Sequence, residues 1–217
     1  MVQGEAIMDT ERIEKKYRRN VHFYDWSVRP IQGLRKKAVA RLGLQPGESV
    51  LDFGCGTGLS FGLLYQAVGP SGQIIGLDLS PEMLARARQR TISQRWENVR
   101  LIEADAEGLD LSEERVDAVL CFYTHDIMNS RQAVEKALDA LRIGGRFVAA
   151  GAKQPAGAFG RLLGLITLLY SIPFIINLSG LACPWARLQE LLGELEVEDY
   201  MWGSSYSAYG IKKGTDQ

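Results

Sequence analysis

The sequence predicts a doubly wound α/β fold on a mostly parallel sheet. Three observations carry the prediction. Short strand patterns alternate with helical patterns between residues 45 and 150. A glycine-rich loop, Gly54-Cys55-Gly56-Thr57-Gly58, joins the first strand to the helix after it. Turn signals fall where the period switches: Gln45-Pro46-Gly47-Glu48, Gly69-Pro70-Ser71-Gly72 and Gly144-Gly145. Such alternation implies parallel strands joined by right-handed crossovers.

The elements follow in order. Residues 9–20 (DTERIEKKYRRN) are charged and helix-forming, with Asp9 or Thr10 as cap. Residues 22–30 are aromatic and stop at Pro30. Residues 31–43 read as an amphipathic helix, with Ile31, Leu34, Ala38 and Leu42 on one face and Gly43 as C-cap. A buried strand at 49–53 leads through the glycine loop to a helix at 59–68. A second strand, 73–77, stops at Asp78. Ser80-Pro81-Glu82 then opens a helix to about Thr91, with Ser at the cap, Pro at the first helical position and an acid in the first turn. Strands at 99–103 and 116–122, a helix at 131–141 and a strand at 146–150 complete the alternation. A short helix at 184–192 precedes two strands, 195–200 and 206–212, expected to pair antiparallel.

Residues 162–186 carry no charge. A membrane span needs about 20 apolar residues in a row. Here Gly164, Pro173, Gly180 and Pro184 interrupt the run, so it reads as an apolar cover. The expected organisation is an N-terminal helical arm or lid, 1–43, and a cofactor-binding domain, 44–217, with a cover insertion at 155–192.

Composition narrows the function. The chain of 217 residues is 46% hydrophobic and 24% charged, too apolar for a disordered chain. A net charge of −1 excludes a uniformly basic nucleic-acid binder. Three widely spaced cysteines (Cys55, Cys121, Cys183) and two histidines (His22, His125) argue against a metal site and suit reduced thiols in the cytoplasm. The first thirty residues lack the apolar run of a secretory signal. Residues 1–41 carry ten Lys/Arg against five Asp/Glu. That basic arm suggests peripheral contact with anionic lipid, or simply a solvated charged face.

The glycine loop discriminates among ligands. A dinucleotide fingerprint needs a third small residue at the position of Leu59, and a phosphate-cradling loop needs a lysine that Gly58-Leu59-Ser60 lacks. Asp52, ahead of the first glycine, repels pyrophosphate but suits an ammonium or sulfonium. Asp78, at the end of the second strand, can accept from both ribose hydroxyls. Asp105, past the third strand, can accept from an adenine amino group. Three acids on successive strand ends suggest a nucleoside with a cationic tail.

These motifs, VLDFGCGTGLS, IIGLDLSPEMLARAR, IEADAEGL and LRIGGRFV, resemble the class I S-adenosylmethionine-dependent methyltransferases. The resemblance runs in order over about residues 45–150 and extends to about 212. Within that family it is most similar to the ubiquinone/menaquinone-biosynthesis and phosphatidylethanolamine N-methyltransferase group, on YDWSVRP, CPWARLQELLG and GSSYSAYGIKKG. The resemblance implies a seven-stranded sheet with the last strand antiparallel, and S-adenosyl-L-methionine as cofactor. It implies that Gly54, Gly56 and Gly58 line the methionine moiety, with Asp52 near its ammonium. Asp78 would hold the ribose and Leu79 the adenine face, while Asp105 and Ala106 would read the adenine edge. Phe122 and Tyr123 would face the methyl group. Cys55 belongs to the cofactor loop as packing rather than as a nucleophile.

Methyl transfer from a sulfonium is an in-line displacement, so the protein mainly aligns the reactants. Only a weakly acidic acceptor needs a base, and His125, in Tyr123-Thr124-His125-Asp126, is the candidate, with a loop role as the alternative. His22, Tyr24 and Trp26 either fold over the cofactor or pack on the sheet edge. The segment after the fourth strand, CFYTHD, lacks the tetrapeptide typical of nucleic-acid amino methylation, and no cysteine pair suits arsenic. Phe159, Leu162, Leu165, Leu169 and Phe174 suggest a greasy acceptor pocket. The expected substrate is small and apolar or amphiphilic: quinone-like, a lipid headgroup or a secondary metabolite. Two alternatives are a same-fold enzyme using the cofactor for aminocarboxypropyl transfer or cyclisation, and a non-catalytic cofactor-binding protein.

Overall fold

Among the described residues, seven strands form one sheet and, counted in chain order, lie side by side as 3-2-1-4-5-7-6. The structure, a computed structural model, describes Asp25 and residues 28–111, 113–155 and 180–214. The expected arm helix at 9–20, the aromatics His22, Tyr24 and Trp26, and the core of the apolar cover at 156–179 lie outside the described residues.

A single 3-10 turn, Arg29–Ile31, opens onto α1 (Gln32–Arg41). Then come β1 (Ser49–Phe53), α2 (Phe61–Val68), β2 (Gln73–Asp78), α3 (Pro81–Gln94), β3 (Val99–Glu103) and β4 (Val116–Phe122). After these come α4 (His125–Asn129), α5 (Arg131–Ala140), β5 (Leu141–Ala152), α6 (Ala186–Leu192), β6 (Glu196–Tyr200) and β7 (Ser205–Ile211). β1 to β5 pair in parallel, whereas β7 runs antiparallel between β5 and β6. The doubly wound sheet with one antiparallel strand therefore matches the expectation.

Local signals explain most boundaries. Ser80 Oγ accepts from Met83 N at 3.3 Å, and Pro81 follows it, so α3 starts where the cap and ring dictate. Ser130 Oγ does the same for α5, accepting from Ala133 N at 3.2 Å. Two elements differ from expectation. Gly144-Gly145 lies inside β5 rather than ahead of it. Gly144 N donates to Lys212 O at 2.7 Å and Lys212 N to Gly145 O at 2.9 Å, so pairing beyond the end of β7 carries the strand through an irregular register. The segment after β4, expected as a loop, forms the short helix α4.

Strand periodicity sorts the core into two faces. Leu51, Phe53, Val119, Cys121 and Phe147 point to the face covered by α5 and α6. Val50, Ala118, Leu120, Phe122 and Val148 point to the face covered by α1, α2 and α3. The apolar stripe of α1 (Leu34, Ala38, Leu42) is part of that second core. Asp52 shares the parity of Val50, so its carboxylate is turned toward α1 at the carboxyl end of the sheet.

Candidate functional site

The carboxyl ends of β1, β2 and β4 surround the glycine loop. Gly54 N and Cys55 N both donate to Leu77 O at 2.8 Å, which ties the loop to β2. Gly54, Gly56 and Gly58 have φ of 86°, 55° and 73°, the left-handed region that glycine adopts without strain. Close approach adds a second reason at two of them. A Cβ on Gly54 would overlap Thr124 Cγ2 and lie 3.0 Å from Ile127 Cδ1, while one on Gly58 would lie 2.7 Å from the Phe61 ring. These two glycines therefore admit close protein neighbours.

Asp52 is 1% exposed, and its Oδ2 has no hydrogen-bond partner among the described residues. Burial pushes its carboxyl from an ordinary 3.8 up to about 7, outweighing the pull of the Arg35 guanidinium. The nearby Asp78 carboxylate adds to the rise, and the Ser60 hydroxyl opposes it. An orphaned, buried carboxylate oxygen beside the loop is a ready partner for a cation.

Asp78 is half-buried. Its Oδ2 accepts from Gly56 N at 2.8 Å and its Oδ1 from Ser80 N at 3.0 Å. Burial pushes this carboxyl up as well, against those backbone donors. Each oxygen keeps a further lone pair for a ligand hydroxyl. Leu79 beside it is half-buried, as is Ala106. Asp105 is exposed and its Oδ1 accepts from Glu107 N at 2.9 Å, so it shapes the turn after β3 at the rim of the site.

The other wall follows β4. Phe122 is buried, with its ring centroid 5.1 Å from that of Tyr123. Tyr123 holds φ at 59°, rare for a bulky residue, while its N donates to Ala150 O at 2.7 Å. Its hydroxyl lies 3.4 Å from Ser205 Oγ at the start of β7. His125 opens α4, and its Nε2 lies 2.9 Å from Asn129 Nδ2, one turn along. Cys55 is buried and burial pushes its thiol far up, which suits packing rather than nucleophilic attack.

Three residues of the site lay outside the sequence reading. Arg35 of α1 is 4% exposed, with Cζ 4.5 Å over the Phe122 ring, and its charge reaches Asp52. The signal was present, since position 35 falls on the apolar stripe of Ile31, Leu34 and Ala38. Asp25 and Arg90 were missed because no local pattern points to them. Asp25 Oδ1 accepts from Thr57 Oγ1 at 2.7 Å, and Arg90 Nη2 lies 2.6 Å from Asp25 Oδ2.

The arrangement fits an adenosyl ligand with an amino-acid tail. Asp52 could meet its ammonium, Asp78 its ribose hydroxyls, and Leu79 with Ala106 its adenine. Among the described residues, no group of three or more His, Cys, Asp or Glu could hold a metal ion. No described helix is long and apolar enough to cross a membrane.

Comparisons with known proteins show the family of the chain. A family described as "Methyltransferase domain" matches residues 44–161. The demethylmenaquinone methyltransferase of Staphylococcus aureus is 31% identical over 146 residues, 67% of this chain and 59% of that protein. The arsenite methyltransferase of Halobacterium salinarum is 34% identical over 114 residues, 52% of this chain and 29% of that protein. The chain thus spans less than two thirds of either curated relative. The crystal structure of a SAM-dependent methyltransferase from Aquifex aeolicus shares the fold, with a TM-score of 0.57, 17% identity, and coverage of 82% of this chain and 88% of that one.

Proposed function

Because the chain belongs to the class I S-adenosylmethionine-dependent methyltransferases, we propose that it moves the cofactor's methyl group to a small apolar or amphiphilic acceptor, foremost a quinol-like ring. The observation that carries the reading is the buried Asp52 carboxylate, with Oδ2 unsatisfied, at the head of a glycine loop whose far side is held by Asp78. When bound, the cofactor supplies a methyl group activated by its sulfonium. The protein's task is then to hold, orient and exclude water.

In this reading Asp52 neutralises the ammonium in a site where burial strengthens the pairing. Asp78 accepts from the ribose hydroxyls while it fixes Gly56. Asp105 and Ala106 flank the adenine edge. The Phe122 and Tyr123 rings form the apolar wall on the acceptor side. His125 takes the proton from an acidic acceptor hydroxyl, with Asn129 orienting the imidazole. The similarity to a demethylmenaquinone methyltransferase supports a quinol-like acceptor. An arsenic acceptor finds less support, because grouped thiolates would be needed. Cys55 and Cys121 are buried, and burial pushes both thiols up.

The test is incubation of the purified protein with methyl-labelled S-adenosylmethionine and three acceptors: a prenylated hydroquinone, phosphatidylethanolamine and arsenite. Label in the hydroquinone supports the reading. Label only in the lipid or in arsenite replaces the acceptor class. Methylthioadenosine in place of S-adenosylhomocysteine would overturn methyl transfer itself.

A further inference from the structure

A loop with glycine at three of five positions should be loose, and ordering it around a ligand should be costly. The structure shows what holds it. Thr57, the residue between Gly56 and Gly58, is 1% exposed and is gripped from two sides. Its hydroxyl donates to Asp25 Oδ1 at 2.7 Å, and its carbonyl accepts from Arg90 Nε at 3.0 Å. Arg90 Nη2 and Asp25 Oδ2, 2.6 Å apart, close the ring. The three members come from distant stretches of chain: Asp25 lies ahead of the first described helix, Thr57 is in the loop, and Arg90 is in α3.

We propose that Asp25 and Arg90 are positioning residues that clamp the glycine loop through Thr57, so that this ring sets how tightly the cofactor is held. The proposal rests on the cofactor reading above. Neither Asp25 nor Arg90 is assigned a contact with the cofactor. They act by fixing both polar groups of Thr57 that the loop backbone would otherwise leave free to turn. Both partners are about one-third exposed, at 30% for the Arg90 side chain and 35% for Asp25. Their ion pair alone is therefore weakly stabilising to the fold. Its effect is local, since it lowers the entropy the loop loses when a ligand binds. A clamp whose ion pair is about one-third open to water is also one that can release. Cofactor exchange should then be faster when the ring is broken.

The experiment measures S-adenosylhomocysteine binding to the full chain by calorimetry, and its dissociation rate by stopped flow. The proteins are wild type, Asp25→Ala, Asp25→Asn, Arg90→Met and the Asp25→Ala/Arg90→Met double variant. Asp25→Ala and Arg90→Met should each weaken binding about 10-fold, mainly through faster dissociation. Asp25→Asn, which still accepts from Thr57, should fall between wild type and Asp25→Ala. The double variant should be no weaker than the worse single one, because one ring is lost once. Thermal midpoints should stay near wild type. Wild-type affinity in both single variants would overturn the clamp while leaving the cofactor reading intact. Additive losses with matching falls in melting temperature would make it ordinary packing and overturn it too. If wild type itself binds no S-adenosylhomocysteine, the cofactor reading and the clamp fall together.

Discussion

Replacing Asp52 with Asn should make the empty protein more stable and cofactor binding weaker, two effects of opposite sign from one atom. The Asp52 carboxyl is 1% exposed, and burial pushes it from 3.8 up to about 7. It lies above its unfolded value, so between about pH 4 and pH 7 the folded state holds a proton that the unfolded state has released. Stability therefore falls as pH rises through that window and levels off above about 7. At about 1.4 kcal/mol per pH unit, a rise from 3.8 to about 7 corresponds to about 4 kcal/mol at pH 8. Asp52→Asn removes the ionisable group while keeping an acceptor for the Ser60 hydroxyl. The variant should gain up to that amount at pH 8 and lose the slope between pH 4 and 7. Binding moves the other way. A charge-assisted hydrogen bond is worth about 1.5–3 kcal/mol, so S-adenosylhomocysteine should bind about 10- to 150-fold more weakly at pH 8. Wild-type affinity should drop as pH falls below about 7 until it nears the variant's, which should stay flat. Denaturant melts and calorimetry across pH 5 to 8.5 supply both readings. A variant that is less stable at pH 8 yet binds like wild type would rule out a strained, buried Asp52 carboxylate as the partner of the ammonium.

Three further outcomes follow from the same geometry. Asp78→Ala should weaken S-adenosylmethionine binding by about 1.5–3 kcal/mol, through the lost ribose acceptor and the freed Gly56 N–H, and NADH should not compete in a displacement assay. His125→Ala should lower kcat about 100- to 10,000-fold with cofactor Kd unchanged; wild-type turnover would leave His125 a ring packed on Asn129. Gly58→Ala forces a Cβ to within 2.7 Å of the Phe61 ring at φ of 73°, and should destabilise the fold by about 1–3 kcal/mol in a thermal melt.

Much of the fold was legible because its determinants are local. Ser80-Pro81-Glu82 starts α3 whatever surrounds it, and the strands of the sheet show as buried runs between turn signals. Gly144-Gly145 misled because a glycine pair reads as a turn, while its hydrogen bonds to Lys212 come from the far end of the chain. The helix α4 was invisible for a related reason. It is five residues long, and its Ile127 packs against Gly54, a contact between segments that follow two neighbouring strands far apart in sequence. The site divides in the same way. Asp52, Asp78 and the glycines stand on strand ends and could be found by spacing. Arg35 could have been found as the cation on an apolar stripe. Asp25 could not, since only the folded chain brings it to Thr57. The expected role of Leu169 and Phe174 as pocket lining lies outside the described residues.

Methyl transfer itself is tested by following the labelled methyl group. Purified protein, methyl-labelled S-adenosylmethionine and a prenylated hydroquinone are mixed, and both products are counted by mass spectrometry. One S-adenosylhomocysteine is expected for each hydroquinone that gains a labelled methyl, with Asp52→Asn slowed at limiting cofactor. Cofactor that stays intact with every acceptor tried, or breaks down to methylthioadenosine with no methylated product, would contradict it.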